Sequence, residues 1–211
     1  LAPWFAGCGL AALLLGGVSA LRTPFAKNMV AYSTVAQLGY VMLALGLLLR
    51  FNQPLFAAAL WLFVLAHALA KAACFLAIGE ITATLGGKRI STLKGASQTM
   101  PLAMFAFAVA GGSLIGLPPS GGFLAKWALL QGLWLQGGQL FWLLAIVLAT
   151  LLSAAYVFRA VVLAFDRADP VAPDFAPRIL PQWLALLPAL AVWAMALYSE
   201  PLLQLLKQEG L

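Results

Sequence analysis

Long apolar stretches limit the fold of this chain more than any other feature of its sequence. Several of these stretches contain about 20 residues, the length that an α-helix needs to cross the hydrocarbon core of a bilayer. Hydrophobic residues make up 64% of the chain and charged residues 9%, whereas a soluble domain carries about 25% charge. The alternation of apolar and polar residues that a membrane barrel needs is not visible. The sequence therefore predicts an all-α polytopic membrane protein.

Six membrane-spanning helices are predicted, at about 4–21, 29–49, 54–79, 100–136, 139–165 and 179–199. The fourth stretch would be about 55 Å long as a single helix, which is too long for one simple crossing. It also holds residues that interrupt helices, namely Gly116, Pro118, Pro119, Gly121 and Gly122. We therefore expect a discontinuous helix with a break near 117–122. Such irregular backbone is tolerated at membrane depth only where protein or water surrounds it.

The alternative is that 100–117 and 122–136 are separate spans, which gives seven in all. With six spans, seven basic residues lie in loops on one side of the membrane and two on the other. With seven spans, the division becomes six against three. Because Lys and Arg concentrate in cytoplasmic loops, the charges favour six spans. Six spans place both termini of this sequence outside and the loops 22–28, 80–99 and 166–178 in the cytoplasm.

Two lysines lie inside apolar stretches, where lipid would penalise their charge. Lys71 follows the chain's only histidine, His67, by four residues, and Lys126 follows the predicted break. A cation at the bilayer centre costs roughly 2.5–3.5 kcal/mol, so such residues usually face a water-filled path or a partner within the bundle. Neutralising a lysine at pH 7 costs roughly 4.6 kcal/mol, which is comparable with the effect of burial. An enclosed lysine can therefore exchange its proton.

We predict a proton path through Lys71, Lys126 and His67. His67 shares a helix face with Lys71, and imidazole titrates near neutral pH. Lys126 lies one turn beyond the break, near a helix N-terminus whose partial positive charge favours the neutral amine. The alternatives are that His67 bonds a neighbouring helix, that Lys71 extends towards the membrane surface and that Lys126 lies near an interface.

Further polar residues are possible parts of the proton path or channel lining: Tyr32, Ser33, Gln37, Tyr40, Glu80 and Arg159. Ser33, Gln37 and Tyr40 follow one side of the second span at helical spacing, where they could contact water or join helices together. Arg159 is close enough to a span end to reach the membrane surface. Glu80 is interpreted as a charge at a span end that could also take up protons.

The chain shows no signature of a catalytic or metal site. P-loop, dinucleotide-binding, zinc-protease and Ser-His-Asp patterns are absent from the sequence. Cys8 and Cys74 lack the spacing of metal ligands. We therefore expect no catalytic residue, metal ion or cofactor in this chain. Because the other basic residues lie in loops between spans, we also expect no nucleic-acid partner.

Four blocks of sequence resemble the antiporter-like membrane subunits shared by respiratory complex I, multi-subunit cation/proton antiporters and membrane-bound hydrogenases. The blocks are AYSTVAQLGYVMLALG, HALAKAACFLAIGEI, GLPPSGGFLAKWALLQG and AAYVFRAVVLAF, in this order. By this resemblance, Lys71 matches the central lysine of a half-channel and Lys126 the lysine of the broken helix. His67 matches the histidine one turn before the central lysine.

The resemblance covers roughly 5–165 and implies two inverted five-helix repeats, each with one discontinuous helix. This chain resembles the second repeat, at 1–165, followed by a cytoplasmic loop at 166–178 and a trailing helix with the C-terminus at 179–211. Since the sequence begins at Leu1 and lacks the first repeat, we expect it to be part of a longer protein.

The implied function is proton translocation in the C-terminal part of a subunit of a complex I-type, redox-driven pump. One alternative is a subunit of a multi-subunit Na⁺ or K⁺/H⁺ antiporter, and another is a structural scaffold without conduction. The expected partners are the lipid bilayer, protons and other membrane subunits of a larger complex in a bacterial inner membrane. Quinone, flavin and iron–sulfur groups would lie on partner subunits. Whether this chain takes part in an enzyme is therefore left open.

Overall fold

The structure, a computed structural model, describes residues 1–166 and 175–198. Its helices are α1 (Ala2–Arg22), α2 (Ala26–Phe51), α3 (Pro54–Thr84), α4 (Ala96–Thr99), α5 (Pro101–Ile115), α6 (Gly121–Leu135), α7 (Leu140–Ala164) and α8 (Ile179–Ala194). Helices α1, α2, α3 and α7 are long and apolar enough to cross a membrane, as is α8 with the 3₁₀ turn that follows it. Helix α5 is shorter but also apolar. The prediction of an all-α polytopic membrane protein is confirmed.

Helix α1 packs closely along α2 because small residues line both helices. Gly9 and Gly16 of α1 lie against the backbone of α2, and Gly39 and Gly46 of α2 lie against the backbone of α1. Small residues allow helix backbones to approach closely inside membranes, where van der Waals packing replaces the hydrophobic effect. This contact fixes the rotation of α2 and turns a different face of that helix towards the rest of the bundle.

Helix α3 is the central element, and α5 and α6 follow each other along it. Apolar residues in the second half of α3 pack with α5, whereas residues in its first half pack with α6. Gly121, at the start of α6, contacts Ala66, and Gly132 contacts Phe56 near the start of α3. Together α5 and α6 therefore form one discontinuous crossing antiparallel to α3, as the six-span interpretation predicts.

Helix α3 continues to Thr84, five residues beyond the predicted end of the third span. No proline interrupts the helix after Gly79, and the chain leaves it only before Gly86, which has a φ of 67°. Glu80 thus lies four residues before the end of the helix and is buried, and its interpretation as a charge at a span end stays a prediction. The predicted loop at 80–99 also contains α4 and a 3₁₀ turn, Ile90–Leu93.

The remaining predicted boundaries fall partly outside the described residues. Most of the predicted loop at 166–178 and the chain beyond 198 are among them. The trailing helix is described as α8 and the 3₁₀ turn Met195–Tyr198. The indole N–H of Trp193 donates a hydrogen bond of 2.8 Å to the Val109 carbonyl, which holds the end of α8 against α5.

The first half of the discontinuous helix ends in a Schellman arrangement. Gly116 has a φ of 91°, and its N–H donates to the Ser113 carbonyl at 3.0 Å. The N–H of Leu117 donates to the Gly112 carbonyl at 2.9 Å. This pair of bonds satisfies two of the carbonyls that a helix end exposes. The last two carbonyls of α5 need other donors.

The second half begins with a serine cap. The Ser120 hydroxyl accepts a hydrogen bond of 3.2 Å from the N–H of Phe123, as N-cap residues commonly do. The N–H of Gly122 donates to the Ser113 hydroxyl at 3.2 Å. A Cβ atom at Gly122 would overlap the Ser113 carbonyl, so glycine is needed there. The predicted break is thus present, and Pro118 and Pro119 within it are joined by a cis peptide bond.

Candidate functional site

Lys126 reaches from α6 back to the end of α5. It is only 5% exposed, and its Nζ lies 2.7 Å from the Ile115 carbonyl oxygen and 3.2 Å from that of Leu114. These are the two carbonyls that the Schellman arrangement leaves unpaired. The ammonium group therefore interacts with the negative end of the α5 dipole. The partial positive charge at the start of α6 was expected to favour the neutral amine, and the structure adds an opposite influence, because the flexible side chain reaches across the break to the carbonyl end of α5.

Lys71 reaches from α3 to α2. It is 6% exposed, and its Nζ donates a hydrogen bond of 2.8 Å to the Val30 carbonyl. It also donates to the hydroxyl of Ser33, which in turn donates to the Val30 carbonyl at 2.9 Å. The buried ammonium group is thus held by a carbonyl and a hydroxyl of the neighbouring helix rather than by lipid headgroups.

Gln37 links the surroundings of the two lysines. It lies one turn after Ser33 on α2, and its Nε2 donates to the Leu114 carbonyl at 3.0 Å. The same carbonyl accepts a hydrogen bond from Lys126. We call Ser33, Gln37, Lys71, Lys126 and the Leu114 carbonyl the polar tract. One face of α2 thus connects the buried amine of Lys71 on α3 with that of Lys126 on α6.

Tyr40 covers Lys126 one turn further along α2. The Lys126 Nζ lies 4.7 Å from the centre of the Tyr40 ring, within the range of a cation–π interaction. The ring stacks on Phe63 with 5.0 Å between centroids. Its hydroxyl lies 3.2 Å from the Thr150 hydroxyl. The ring is therefore held from both sides, and Tyr40 joins Ser33 and Gln37 on the face that helical spacing predicts.

Helix α7 supplies polar residues that the sequence analysis did not identify. Ser153 lies 3.5 Å from the Gln37 Nε2 and donates to the Ala149 carbonyl at 3.0 Å. Tyr156 is buried nearby. With Thr150, these residues recur every three positions in a mostly apolar helix, a spacing that puts them on one helix face. That spacing was the signal that could have identified them.

A pocket of about 230 Å³ lies beside Lys126. Its lining includes Gly116, Phe123 and Lys126 on one side and Ile146 and Thr150 of α7 on the other. The pocket borders the Lys126 side chain between α6 and α7, and its lining is mostly apolar.

Three other candidate residues lie apart from the polar tract. Tyr32 is on the outer side of α2 and 42% exposed. Arg159 donates to the carbonyls of Leu21 and Thr23, the latter at 3.1 Å, and so caps the end of α1. His67 is half-buried, and its Nδ1 makes no hydrogen bond to a described residue. The link between the lysines runs through α2, and the predicted modulating role of His67 stays a prediction.

Glu80 also lies apart from the polar tract, in an ion pair with α8. Its carboxylate is buried and accepts two hydrogen bonds from Arg178, at 2.7 and 3.1 Å. The hydrogen bonds and the charge of Glu80 raise the pKa of Arg178, which lies just before α8. Across 1–166 and 175–198, three or more His, Cys, Asp or Glu side chains nowhere gather into a possible metal site. The expected lack of a cofactor stays a prediction.

The chain matches known membrane proteins over most of its length. Residues 1–153 match the family described as NADH:quinone oxidoreductase/Mrp antiporter, TM. Subunit N of NADH-quinone oxidoreductase from Desulforudis audaxviator is 37% identical over 180 residues, which cover 84% of this chain and 34% of that protein.

Solved structures share the fold. A chain of the Mrp complex from Dietzia sp. has a TM-score of 0.87 at 24% identity, covering 100% of this chain and 47% of the other. A chain of the membrane-bound sulfane sulfur reductase, an archaeal respiratory membrane complex, has a TM-score of 0.83 at 27% identity. That match covers 100% of this chain and 42% of the other. This chain spans less than half the length of each of these proteins. Because the family match covers 1–153, well over half of the chain and all of the polar tract, the chain belongs to the NADH:quinone oxidoreductase/Mrp antiporter family of membrane subunits.

Proposed function

We propose that the polar tract translocates protons across a membrane, as part of an antiporter-like subunit of a redox-driven pump. The observation that carries this proposal is the Leu114 carbonyl, which accepts hydrogen bonds from both Gln37 and Lys126. Through Ser33, the same face of α2 contacts Lys71. Two buried amines with a common polar connection form an arrangement that can hold a proton at either end.

The chemistry of each group limits what it can do in this path. A charged lysine only donates hydrogen bonds, whereas a neutral amine can accept one, and a serine hydroxyl does both. When Lys71 loses its proton, Ser33 can turn its hydroxyl towards the amine instead of accepting from it. A change of charge at Lys71 therefore changes the hydrogen bonding of α2 at Val30 and Ser33, one turn before Gln37.

The charge of Lys126 depends on the break in the helix. Two carbonyl dipoles at the end of α5 stabilise its ammonium form. When the proton leaves, the Leu114 carbonyl keeps its bond to Gln37. Like charges repel more strongly in a protein interior than in water. A proton that arrives at one lysine therefore favours loss of the proton from the other, and this coupling can pass a charge along the tract.

The coupling to redox chemistry is supported by the relative from Desulforudis audaxviator, which is named as a subunit of NADH-quinone oxidoreductase. Under this proposal, quinone, flavin and iron–sulfur groups belong to partner subunits, and the complex lies in a bacterial inner membrane with the connection between α3 and α5 in the cytoplasm. The family description also includes Mrp antiporters. Exchange of Na⁺ or K⁺ for protons is therefore the second candidate, and a structural scaffold is the third.

The test uses the complete native complex reconstituted into liposomes, with internal pH followed by a fluorescent dye. We expect proton transport when NADH and a quinone are supplied. Lys71→Met should lower it by at least about tenfold, the effect of 1.36 kcal/mol on a barrier. Lys27→Met is the matched control, because Lys27 is an exposed lysine on α2.

Each alternative has its own outcome in this experiment. Proton movement that follows an imposed Na⁺ or K⁺ gradient, but not NADH oxidation, would favour the cation exchanger. Full transport by an assembled complex with Lys71→Met would contradict conduction through the polar tract and favour the scaffold.

A further inference from the structure

Tyr156 is a buried residue whose polar group makes no hydrogen bond to any described part of the chain. Its side chain is 1% exposed, and the hydroxyl oxygen has no partner within 1–166 and 175–198. Buried hydroxyl groups are nearly always hydrogen-bonded, and an exception calls for an explanation. Phenylalanine would fill the same space without an unsatisfied group, so packing alone does not account for this tyrosine.

The hydroxyl lies among side chains of the polar tract. It is close to Ser33 and Gln37 of α2 and to Ser153 of its own helix. The Ser33 hydroxyl accepts a hydrogen bond from Lys71. Gln37 shares its carbonyl partner with Lys126. The Tyr156 hydroxyl therefore lies beside the two α2 side chains through which the lysines are connected.

The neighbours of Tyr156 already direct their donors elsewhere. The Ser33 hydroxyl donates to the Val30 carbonyl, and the Gln37 amide donates to the Leu114 carbonyl. A phenol can both donate and accept, and its O–H turns freely about the C–O bond. A small shift of these side chains would bring the oxygen of either within reach of the Tyr156 O–H, which has no partner among the described residues in the present arrangement.

We propose that Tyr156 is a positioning residue that links the protonation of Lys71 to that of Lys126. Its hydroxyl turns between the Ser33 oxygen and the Gln37 amide oxygen. When Lys71 is charged, Ser33 accepts from its ammonium group, and Tyr156 donates to Gln37. When Lys71 is neutral, Ser33 donates to the amine, and its oxygen becomes the acceptor for Tyr156. No covalent bond of Tyr156 forms or breaks, and the inference rests on the proposed proton translocation.

The test compares Tyr156→Phe with Tyr32→Phe in the complete complex in liposomes, with proton transport driven by NADH and a quinone. Tyr32 is on the same helix as Ser33 and Gln37 but on its exposed side, so its variant removes a hydroxyl that the path does not use. We expect Tyr156→Phe to assemble and to be at least as stable as the natural protein, because it removes an unsatisfied polar group. Transport should nevertheless fall by about tenfold.

The pH profile of transport separates this role from a structural one. The titratable groups that face Tyr156 are Cys74 of α3 and Tyr40 of α2, with Lys71 reached through Ser33. Since coupling between the lysines sets when each exchanges its proton, Tyr156→Phe should move the pH of half-maximal transport by about one unit. Tyr32→Phe should leave the profile unchanged.

A second variant covers a failure of assembly. Tyr156→3-fluorotyrosine keeps the ring and the hydroxyl but makes the hydroxyl a stronger donor, so it should move the pH profile while the complex still forms. An unchanged rate and an unchanged profile in both variants would overturn the role of Tyr156. If Lys71→Met blocks transport in the same preparation, that result leaves the proposed function standing. If Lys71→Met has no effect either, both proposals fail.

Discussion

The Nζ of Lys126 lies 2.7 Å from the carbonyl oxygen of Ile115, the last residue of the helix half that precedes the break. A single side chain thus caps α5 from the helix that follows it. Because an ammonium group binds these carbonyls better than a neutral amine does, the protonation of Lys126 is tied to the geometry of the break. The same interaction therefore serves the stability of the fold and the proposed path.

Lys126→Arg separates the capping function from proton exchange. The guanidinium group keeps its positive charge at any accessible pH, so it can still bind the carbonyls of α5 but cannot release a proton. We expect the complex to assemble with nearly normal thermal stability, while NADH-driven proton transport falls by at least about tenfold. Normal transport with arginine at this position would show that Lys126 does not exchange its proton.

Lys126→Met provides the opposite comparison, because it removes both the charge and the donor. The Ile115 carbonyl then loses its hydrogen bond from Lys126, whereas the Leu114 carbonyl keeps its bond to Gln37. An unsatisfied buried acceptor costs about 1–3 kcal/mol. Lys126→Met should therefore lower both transport and the unfolding temperature of the purified complex, followed by tryptophan fluorescence. Equal stability of the Met and Arg variants would contradict the capping function.

Gly116→Ala should disturb the break and Lys126 together. Gly116 has a φ of 91°, and a Cβ atom there would lie 2.9 Å from the Lys126 Cδ. The left-handed backbone alone costs an alanine roughly 1–2 kcal/mol, and the contact pushes the lysine from its carbonyls. We expect lower thermal stability and lower proton transport.

Gly137→Ala is the matched control for this variant. Gly137 also has a positive φ, 86°, but a Cβ atom there would meet nothing within 4 Å. Gly137→Ala should lower the thermal stability through its left-handed backbone, but the rate of transport per assembled complex should not change. If both variants lose transport equally, then the contact between position 116 and Lys126 is not the cause.

The helices and the break follow directly from local sequence. Apolar length predicts the spans, and the glycines and prolines at 116–122 predict a break because they act on the backbone nearby. Helical spacing also predicts that Ser33, Gln37 and Tyr40 share one face. These features depend on neighbours in the chain, so one sequence is sufficient to identify them.

The connection between the lysines depends on tertiary packing, which local spacing does not encode. Lys71 donates a hydrogen bond to Ser33, which is 38 positions away in the sequence. Gln37 donates one to the Leu114 carbonyl, 77 positions away. The close packing of α1 decides which face of α2 turns inward. The ion pair of Glu80 was not predicted for a similar reason, since its partner Arg178 is 98 positions away. The spacing of Thr150, Ser153 and Tyr156 could have identified Tyr156 as a polar position, but its proximity to Ser33 and Gln37 depends on tertiary packing.

Arg178→Gln should destabilise the complex by leaving the buried Glu80 carboxylate without its charged partner. Removing one partner of a buried ion pair is costly because the remaining charge stays desolvated. The arginine is 69% exposed and the glutamate 5% exposed, so the loss falls mainly on Glu80. We expect a lower unfolding temperature for Arg178→Gln and partial recovery when Glu80→Gln is added.

Lys94→Gln is the control for that ion pair. Lys94 and Asp166 form a pair 3.3 Å apart in which both side chains are well exposed, and exposed pairs contribute little. Its loss should hardly change the unfolding temperature. A similar effect of Lys94→Gln and Arg178→Gln would show that burial of Glu80 does not strengthen its pair.

Gly39→Ala should disturb the polar tract although it replaces none of the residues in the tract. A Cβ atom at Gly39 would lie 2.7 Å from the Gly9 carbonyl oxygen and 2.7 Å from the Leu13 nitrogen. To relieve the contact, α1 and α2 must separate, at a cost of roughly 1–3 kcal/mol for overpacking. Because α2 carries Ser33 and Gln37, the shift also weakens their bonds. Both the unfolding temperature and proton transport should fall.

Gly7→Ala is the matched variant for Gly39, since Gly7 lies on α1 at a place where an added methyl group would meet nothing within 4 Å. Alanine favours helix over glycine by about 1 kcal/mol, so this variant should be neutral or slightly stabilising and should transport normally. The comparison is decided by transport per assembled complex. If Gly39→Ala assembles and transports at the natural rate, then the rotation and position of α2 do not control the path, and the two lysines must be coupled by another route.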